Sequence, residues 1–536
     1  MKEVLAYSLG IVAVLLFFLP WFLGSSGHIP STYPDAWAFL WSLDRLSYVW
    51  SGEETLYFTD RVFHPFGAGL ALHTQAEGVL FPASLFTTSS NRELIYTLVV
   101  VLCFVLNFLS FALLFTYLSN RTPIGVWLGL ALTLHPQFVG HLDGGHLNFL
   151  CFFPVAFWLR SFLIIVHEEA PIGKHLGILV FSAMFLGFTN LYYLFFLGLL
   201  AVLLSLFFIG SGTMRAIQGV ILSGFMSLFG LMIAAGKLAL VFDAYHGGGF
   251  RANHAPAEHS ADLLFFFIPS VNQLIGHISK YALNPFMFGL SNVELGVYMG
   301  VGLTLLVVYA FTRRVTDPLV FTFFTVGLFF MILSLGPEVR ITGALLVEDP
   351  LYEVLQKMPL FPSVPIRFGF IAVLLFCCTV AVGLKVELNK LSLVLLLLLG
   401  VEFLPRGLPL GKLPQSVALE ELAKRDEVKA LHDFSVGRQH KLAHQLIHGK
   451  KVTSAFLART PLDPVLFYKE NAFLGYVRRG REASKKELSD AISNLKIEAV
   501  LCEWGKPKCA ERVLATGKFE KLREDDYLTV LVLKEL

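Results

Sequence analysis

Charge is what this sequence has least of. Lys and Arg number 42 and Asp and Glu 40 in 536 residues, so 15% of the chain is ionic while 55% is apolar. Soluble globular chains carry about 25% charged residues, and a mean hydropathy of +0.66 excludes that class; the chain is an integral membrane protein. The formal net charge of +2 leaves no electrostatic case for a nucleic-acid partner. Six cysteines are too few for a disulfide-built scaffold. Cys103, Cys151, Cys377 and Cys378 fall in apolar runs and suit small buried hydrophobes. Cys502 and Cys509, in "CEWGKPKC", have the spacing of one small disulfide in an extracytoplasmic tail, or of two free thiols. No internal repeat or low-complexity tract is visible. The first apolar segment, after Lys2 and Glu3, lacks a small-residue cleavage site, so it is taken as a retained span.

Long apolar runs are what the sequence has instead. Runs near 4–24, 92–118, 123–140, 147–166, 175–189, 191–209, 217–241, 293–311, 317–335, 366–386 and 391–404 predict a polytopic α-helical protein of about eleven transmembrane helices. With the N-terminus cytoplasmic, the inner links carry Arg121, Lys174, Arg215, Arg313, Arg314, Lys385 and Lys390, as the positive-inside rule requires. The outer connections are then the long ones, 25–91, 242–292 and 336–365, with tight turns at 141–146 and 190–193. That orientation is expected in the cell inner (plasma) membrane. Residues 1–404 form the membrane domain; the odd span count puts 405–536 outside, where composition turns charged and mixed. There "ALEELAKRDEVKALHDF" has helical spacing, "KVTSAFL", "IEAVLCEW" and "YLTVLVLKEL" read as strands, and "SKKELSDAISNL" is a helix with a Ser cap, together a small extracytoplasmic α/β domain.

The scarce polar groups gather in the outer segments. "PDAWAFLWSLDRLSYVW" predicts an amphipathic helix lying in the membrane interface, with Asp35 in its first turn after Pro34. Asp35 there is either a carboxylate set against the helix dipole or a catalytic acid at the bilayer surface. His64, His73 and Glu77 follow among glycines and aromatics, each a structural hydrogen-bonder or part of a polar site. In "HLDGGHLNF", His141, Asp143 and His146 surround two glycines; they hold either a tight turn or a divalent cation. Tyr192, Lys237 and Glu294 join the same face. Lys237, in an apolar run, either snorkels without a partner or meets a phosphate. Three prolines, at 359, 362 and 365, delay the next span until Arg367. Its guanidinium suits bidentate phosphate contact or an interfacial anchor.

"YPDAWAFLW" after the first span, "FHPFGAGLALHT", "HLDGGHLN", "NLYY", "LGPEV" and "P-x-x-P-x-R" resemble in order the GT-C superfamily of integral membrane glycosyltransferases. The resemblance covers residues 1 to about 404 in layout and the tail in position only. It implies a polyprenyl-phosphate-linked sugar donor, held with its tail in the lipid bilayer, and a glycan, lipid or protein acceptor. It further implies an inverting transfer with Asp35 as general base, Arg367 and Lys237 on the phosphate, and His64, His73, His141, Asp143 and His146 shaping the sugar and acceptor sites. Asp35 stands without the paired acid of a D-x-D motif, so a metal-dependent variant needs Asp143 or Glu77 as second carboxylate. The alternative is a transporter or flippase of a lipid-linked glycan, which calls for pseudo-symmetric repeats and charges spread through the bilayer depth.

Overall fold

The computed structural model describes every residue except 1, 25–26, 169–171, 211, 248–249, 252–255, 278–295, 359–360, 386–387, 436, 504–506 and 535–536. Among the described residues each apolar run holds helix, but four are broken in two. Lys2–Phe17 and Leu19–Gly24 flank a break beside Pro20; Pro136 and Pro154 each open a new helix, Pro136–Asp143 and Phe153–His167. Proline cannot donate to the preceding turn and forces its predecessor out of the helical region, as at His135 with ψ 144°. The fourth break, between Met214–Ile233 and Ala235–His246, has no proline; it falls where Ala234 packs against Gly187. Arg92–Ser119, Leu147–His167, Leu191–Gly210, Met214–Ile233 and Pro365–Gly383 are long and apolar enough to cross a membrane, and Gly173–Thr189 and Pro318–Ser334 are shorter apolar helices.

Helix Arg92–Ser119 lies along Thr122–Thr133 at very close range: a Cβ on Gly129 would stand 2.8 Å from Ala112 backbone, so small residues set the approach. Phe368–Gly383 is buried along its whole length. Near the turn 141–146, Phe138, Phe152 and Phe370 meet edge to face with centroids 4.6–6.1 Å apart, a rigid apolar floor for what packs on it.

The C-terminal part holds a five-stranded sheet in the order Phe519–Glu524, Leu528–Leu533, Ala499–Glu503, Ala430–Asp433, Lys451–Val452. Its last three strands are parallel, its first three antiparallel. Helix Lys485–Leu495 opens with a Ser484–Glu487 capping box, and Cys502 and Cys509 are joined in a disulfide. The helical reading of "ALEELAKRDEVKALHDF" holds only for Val417–Ala423; Ala430–Asp433 is a strand. That strand is buried at all four positions, so it shows no alternation, and a short apolar run cannot be told from helix by periodicity alone.

The long connection 25–91 is a structural bridge. Its helix Asp35–Trp50 does not lie open in the membrane interface as expected; ten of its residues from Ala36 to Leu46 are buried beneath helix Arg438–His448 of the C-terminal part and against Glu77–Ser84 and Arg92–Ser119. The side chains on its polar side have protein partners. Trp41 Nε1 donates to Gln445 Oε1 at 2.6 Å, and Arg45 donates to the Thr55 and Leu56 carbonyls and to Gln75 Oε1. Burial lowers the Arg45 pKa to about 10 although Glu54 opposes the shift. Farther on, Val62 pairs with Val452, extending the edge of the sheet, and His28–Ile29 pairs with Gly411–Lys412.

Candidate active site

The long connections and helix-end turns meet around one cavity of about 720 Å3. It is lined by Asp35 and Phe39 of the first-loop helix, His73 to Glu77, the turn from His146 to Phe149, Asn190 and Tyr192, Lys237 and Tyr245, His259, Ser363 and Arg367, and by Phe456, Ala458 and Arg459 of the C-terminal part.

Asp35 sits in the first turn of its helix, and Pro34 at the cap makes no side-chain bond. The turn 141–146 closes over that helix start because Gly145 adopts φ 74° and a Cβ there would be 2.2 Å from Ala36 N. That approach sets His146 Nε2 3.0 Å from Asp35 Oδ2. Behind it, His146 Nδ1 lies 3.0 Å from His141 Nδ1, and His141 Nε2 lies 2.7 Å from Gln137 Nε2. His141 stacks on Phe149 and is fully buried, so it stands behind the cavity wall rather than in it.

Two further charged groups face the same space. Lys237 Nζ donates to Glu77 Oε2 and to the Phe188 carbonyl, both at 2.8 Å. This replaces the reading of Lys237 as an unpartnered snorkelling cation, and it gives Glu77 a partner of its own. Arg367, in the short turn Pro365–Arg367, places its guanidinium 4.1 Å over the Phe149 ring and 5.0 Å from that of Tyr192. Stacking fixes the plane of the guanidinium and directs its N–H edge. Tyr192 is held in turn by Ser363 at 3.1 Å, and Asn190 caps the helix after it through the Tyr192 and Tyr193 amides.

His73 joins the cavity to the C-terminal part. Its Nδ1 accepts from Ala458 N–H at 3.1 Å, so the neutral ring carries its proton on Nε2, which has no partner among the described residues. Burial, with Arg45 adding to it, lowers the His73 pKa to about 3.

Three candidates fall elsewhere. His64 is not in the cavity: its Nε2 meets the Lys496 carbonyl at 2.9 Å and its own carbonyl accepts from Tyr468, so it docks the loop on the C-terminal part. Asp143 turns away from the cavity to the Thr32 hydroxyl, while its carbonyl accepts from Ser31 and Tyr33, which is the turn-holding reading. Glu294 lies outside the described residues. His141, Asp143 and His146 therefore do not converge on one point, and among the described residues no group of three or more His, Cys, Asp or Glu is arranged to hold a metal.

Sequence reasoning missed Gln137, Ser363, His259 and Arg459. Gln137 had a signal, since "HPQFVGH" puts it one helical turn from His141. Arg459 had none, because only the fold of the C-terminal part brings it to the cavity.

No family profile and no curated protein matches the sequence. Solved structures do. The arabinofuranosyltransferase AftD from Mycobacteria aligns with a TM-score of 0.58 at 12% identity, over 99% of this chain and 41% of that one. The oligosaccharyltransferase of Archaeoglobus fulgidus in its apo form aligns with a TM-score of 0.52 at 11% identity, over 94% and 69%. The oligosaccharyltransferase AglB from that organism, in complex with an inhibitory peptide and a dolichol-phosphate, gives 0.50 at 10% identity, over 97% and 72%. The chain shares the fold of these solved structures.

Proposed function

We propose that this chain is a membrane glycosyltransferase that moves a sugar from a polyprenyl-phosphate donor to an acceptor hydroxyl, with inversion at the anomeric carbon. The observation that carries the proposal is the sharing of one cavity by Asp35, a hydrogen-bonded but partly exposed carboxylate, and Arg367, a stacked guanidinium. A transfer of this kind needs both: a base where the acceptor loses its proton and a cation where phosphate leaves. The solved AglB complex contains a dolichol-phosphate, a lipid phosphate of the same chemical class.

In the proposed step the acceptor O–H bond breaks and its proton passes to Asp35. The acceptor oxygen bonds the anomeric carbon, and the carbon–oxygen bond to phosphate breaks with its electron pair leaving on the phosphate, which Arg367 holds. Phe39, Phe149, Tyr192 and Tyr245 give the cavity the apolar and aromatic lining that a sugar ring stacks on. The neighbouring cation Lys237 acts on phosphate only through the field it shares with Glu77. The N-terminus faces the cytoplasm and the cavity and residues 405–536 face outward in the inner membrane, in keeping with the basic links at the opposite helix ends and with the Cys502–Cys509 bond. Chromatographic detection of polyprenyl phosphate released from a panel of lipid-phosphate-linked hexoses and pentoses tests the reading. Asp35→Asn is expected to abolish release while the protein still folds, and turnover by that variant at the parental rate would refute the assignment.

A further inference from the structure

The chain of contacts behind Asp35 has a direction, and both of its ends dictate the same one. A carboxylate only accepts, so His146 Nε2 at 3.0 Å carries a proton. In a neutral ring His146 Nδ1 then accepts, His141 Nδ1 donates across 3.0 Å, and His141 Nε2 accepts from its partner at 2.7 Å. That partner is the Gln137 amide nitrogen, which can only donate. The far end therefore supplies what the carboxylate end demands.

Adding a second proton to His146 breaks this order. The proton would sit on Nδ1 and point at the His141 Nδ1–H. Relief requires His141 to carry its proton on Nε2 instead, where the Gln137 N–H already points. In the structure the buried Gln137 amide aims its nitrogen at His141 and its oxygen toward Gly296, so the donor stands on the relay side. A carboxylate facing an imidazolium has its charge compensated and is a weaker proton acceptor than one facing a neutral N–H donor.

Resting on the base assignment above, we propose that Gln137, His141 and His146 form a one-way hydrogen-bond relay. It presents a neutral Nε2–H to Asp35 and keeps a second proton off His146. All three are positioning residues. The other titratable groups on the cavity are Glu77 with Lys237, His73, Tyr192, Tyr245, His259, Arg367 and Arg459, while Asp143 of the same turn points away to Thr32. They are common to every variant below, so differences among the variants report the relay.

Gln137→Glu tests it, because a carboxylate of nearly the same shape accepts from His141 Nε2–H and reverses the relay. With a polyprenyl-phosphate-linked sugar as probe, kcat is expected to fall about tenfold near neutral pH, with the donor KM held within about twofold. The rate should recover as pH rises and His146 loses its extra proton. Gln137→Met interrupts the relay without reversing it and should give a smaller loss with no alkaline recovery. His146→Gln, which keeps an N–H toward Asp35 but cannot titrate, should recover most of the rate lost in His146→Leu. A Gln137→Glu enzyme with the parental pH profile, or one indistinguishable from Gln137→Met, overturns the relay. If Gln137→Glu does not fold, 15N shifts of the imidazoles in the parental protein decide the matter. His146 doubly protonated at about pH 6.5, the ordinary histidine midpoint, overturns the proposal, and a ring protonated on Nε2 alone supports it. An active Asp35→Asn enzyme would remove the base itself, a separate failure from that of the relay.

Discussion

Two acid–base pairs face the cavity at nearly the same distance and differ in everything else. Glu77 and Lys237 meet at 2.8 Å with side chains 3% and 5% exposed; Asp35 and His146 meet at 3.0 Å with 29% and 21%. The dry pair joins two elements, Glu77–Ser84 and Ala235–His246, and satisfies itself, with Phe188 taking another Lys237 donor. The wetter pair keeps one carboxylate within reach of a ligand and is fixed from behind by buried imidazole. Distance alone does not tell a structural pair from a reactive one; exposure and the groups behind each partner do.

Breaking the pairs one at a time should separate these roles. Asp35→Asn is expected to reduce transfer by about 10²–10⁴-fold, the range for a lost general base, while the thermal midpoint in detergent moves little. A fall in that midpoint matching the fall in rate would make Asp35 structural and erase the contrast. The dry pair should behave the other way. Glu77→Leu or Lys237→Met alone leaves a buried charge uncompensated and is expected to cost about 3–5 kcal/mol, seen as a large drop in the midpoint. The double variant, apolar on both sides, should regain most of that stability. If either single variant folds normally and only loses transfer, Lys237 acts on substrate directly and the pair is not the structural one described here.

Arg367 sharpens the same contrast from the cation side. Arg367→Ala is expected to weaken binding of a polyprenyl phosphate by about 10–100-fold, in line with about 1.5–3 kcal/mol for a charge-assisted hydrogen bond. Arg367→Lys should recover only part, because an ammonium cannot lie flat on Phe149 and present a planar edge. Microscale binding to detergent-solubilised protein measures both, and parental affinity in Arg367→Lys would show that stacking contributes nothing.

How far the sequence shows all this depends on what each residue answers to. The helices were legible because span length and apolarity are local properties, and the gathering of polar residues at one set of connections followed from charge counting. Pairing was not legible. Nothing near Lys237 announces Glu77, 160 positions away, and nothing in "FHPF" says that His64 docks a sheet edge while His73, nine positions on, lines a cavity. These partners are set by tertiary packing, of helix Ala235–His246 on the loop for Glu77 and of the C-terminal part on the loop for the two histidines. The amphipathic pattern of Asp35–Trp50 was read as an interface helix for the same reason: its polar side meets protein, and periodicity cannot say whether a polar face meets water, lipid headgroups or Gln445.

His73 is as dry as Glu77 and lines the same cavity, and it supplies the weakest effect. Its folded pKa of about 3 lies below the ordinary value of 6.5, so below about pH 6.5 the unfolded chain binds a proton that the folded chain refuses. Stability therefore falls as pH drops through the ordinary histidine value, by up to about 1.4 kcal/mol per pH unit for this group. His448, at the C-terminal part's contact with the loop, is likewise held near 3, by burial and then by His444, and adds a parallel slope. His73→Gln, which keeps an acceptor for the Ala458 N–H but does not titrate, should remove its own share of the acid dependence of the thermal midpoint, leaving that of His448 and the equally buried His432, with the midpoint near pH 8 within about 1 kcal/mol of the parent. Should the variant lose stability on acidification as steeply as the parent, the acid sensitivity of this seam arises at His448 and its neighbours, and the Nε2–H of His73 is open to serve the ligand alone.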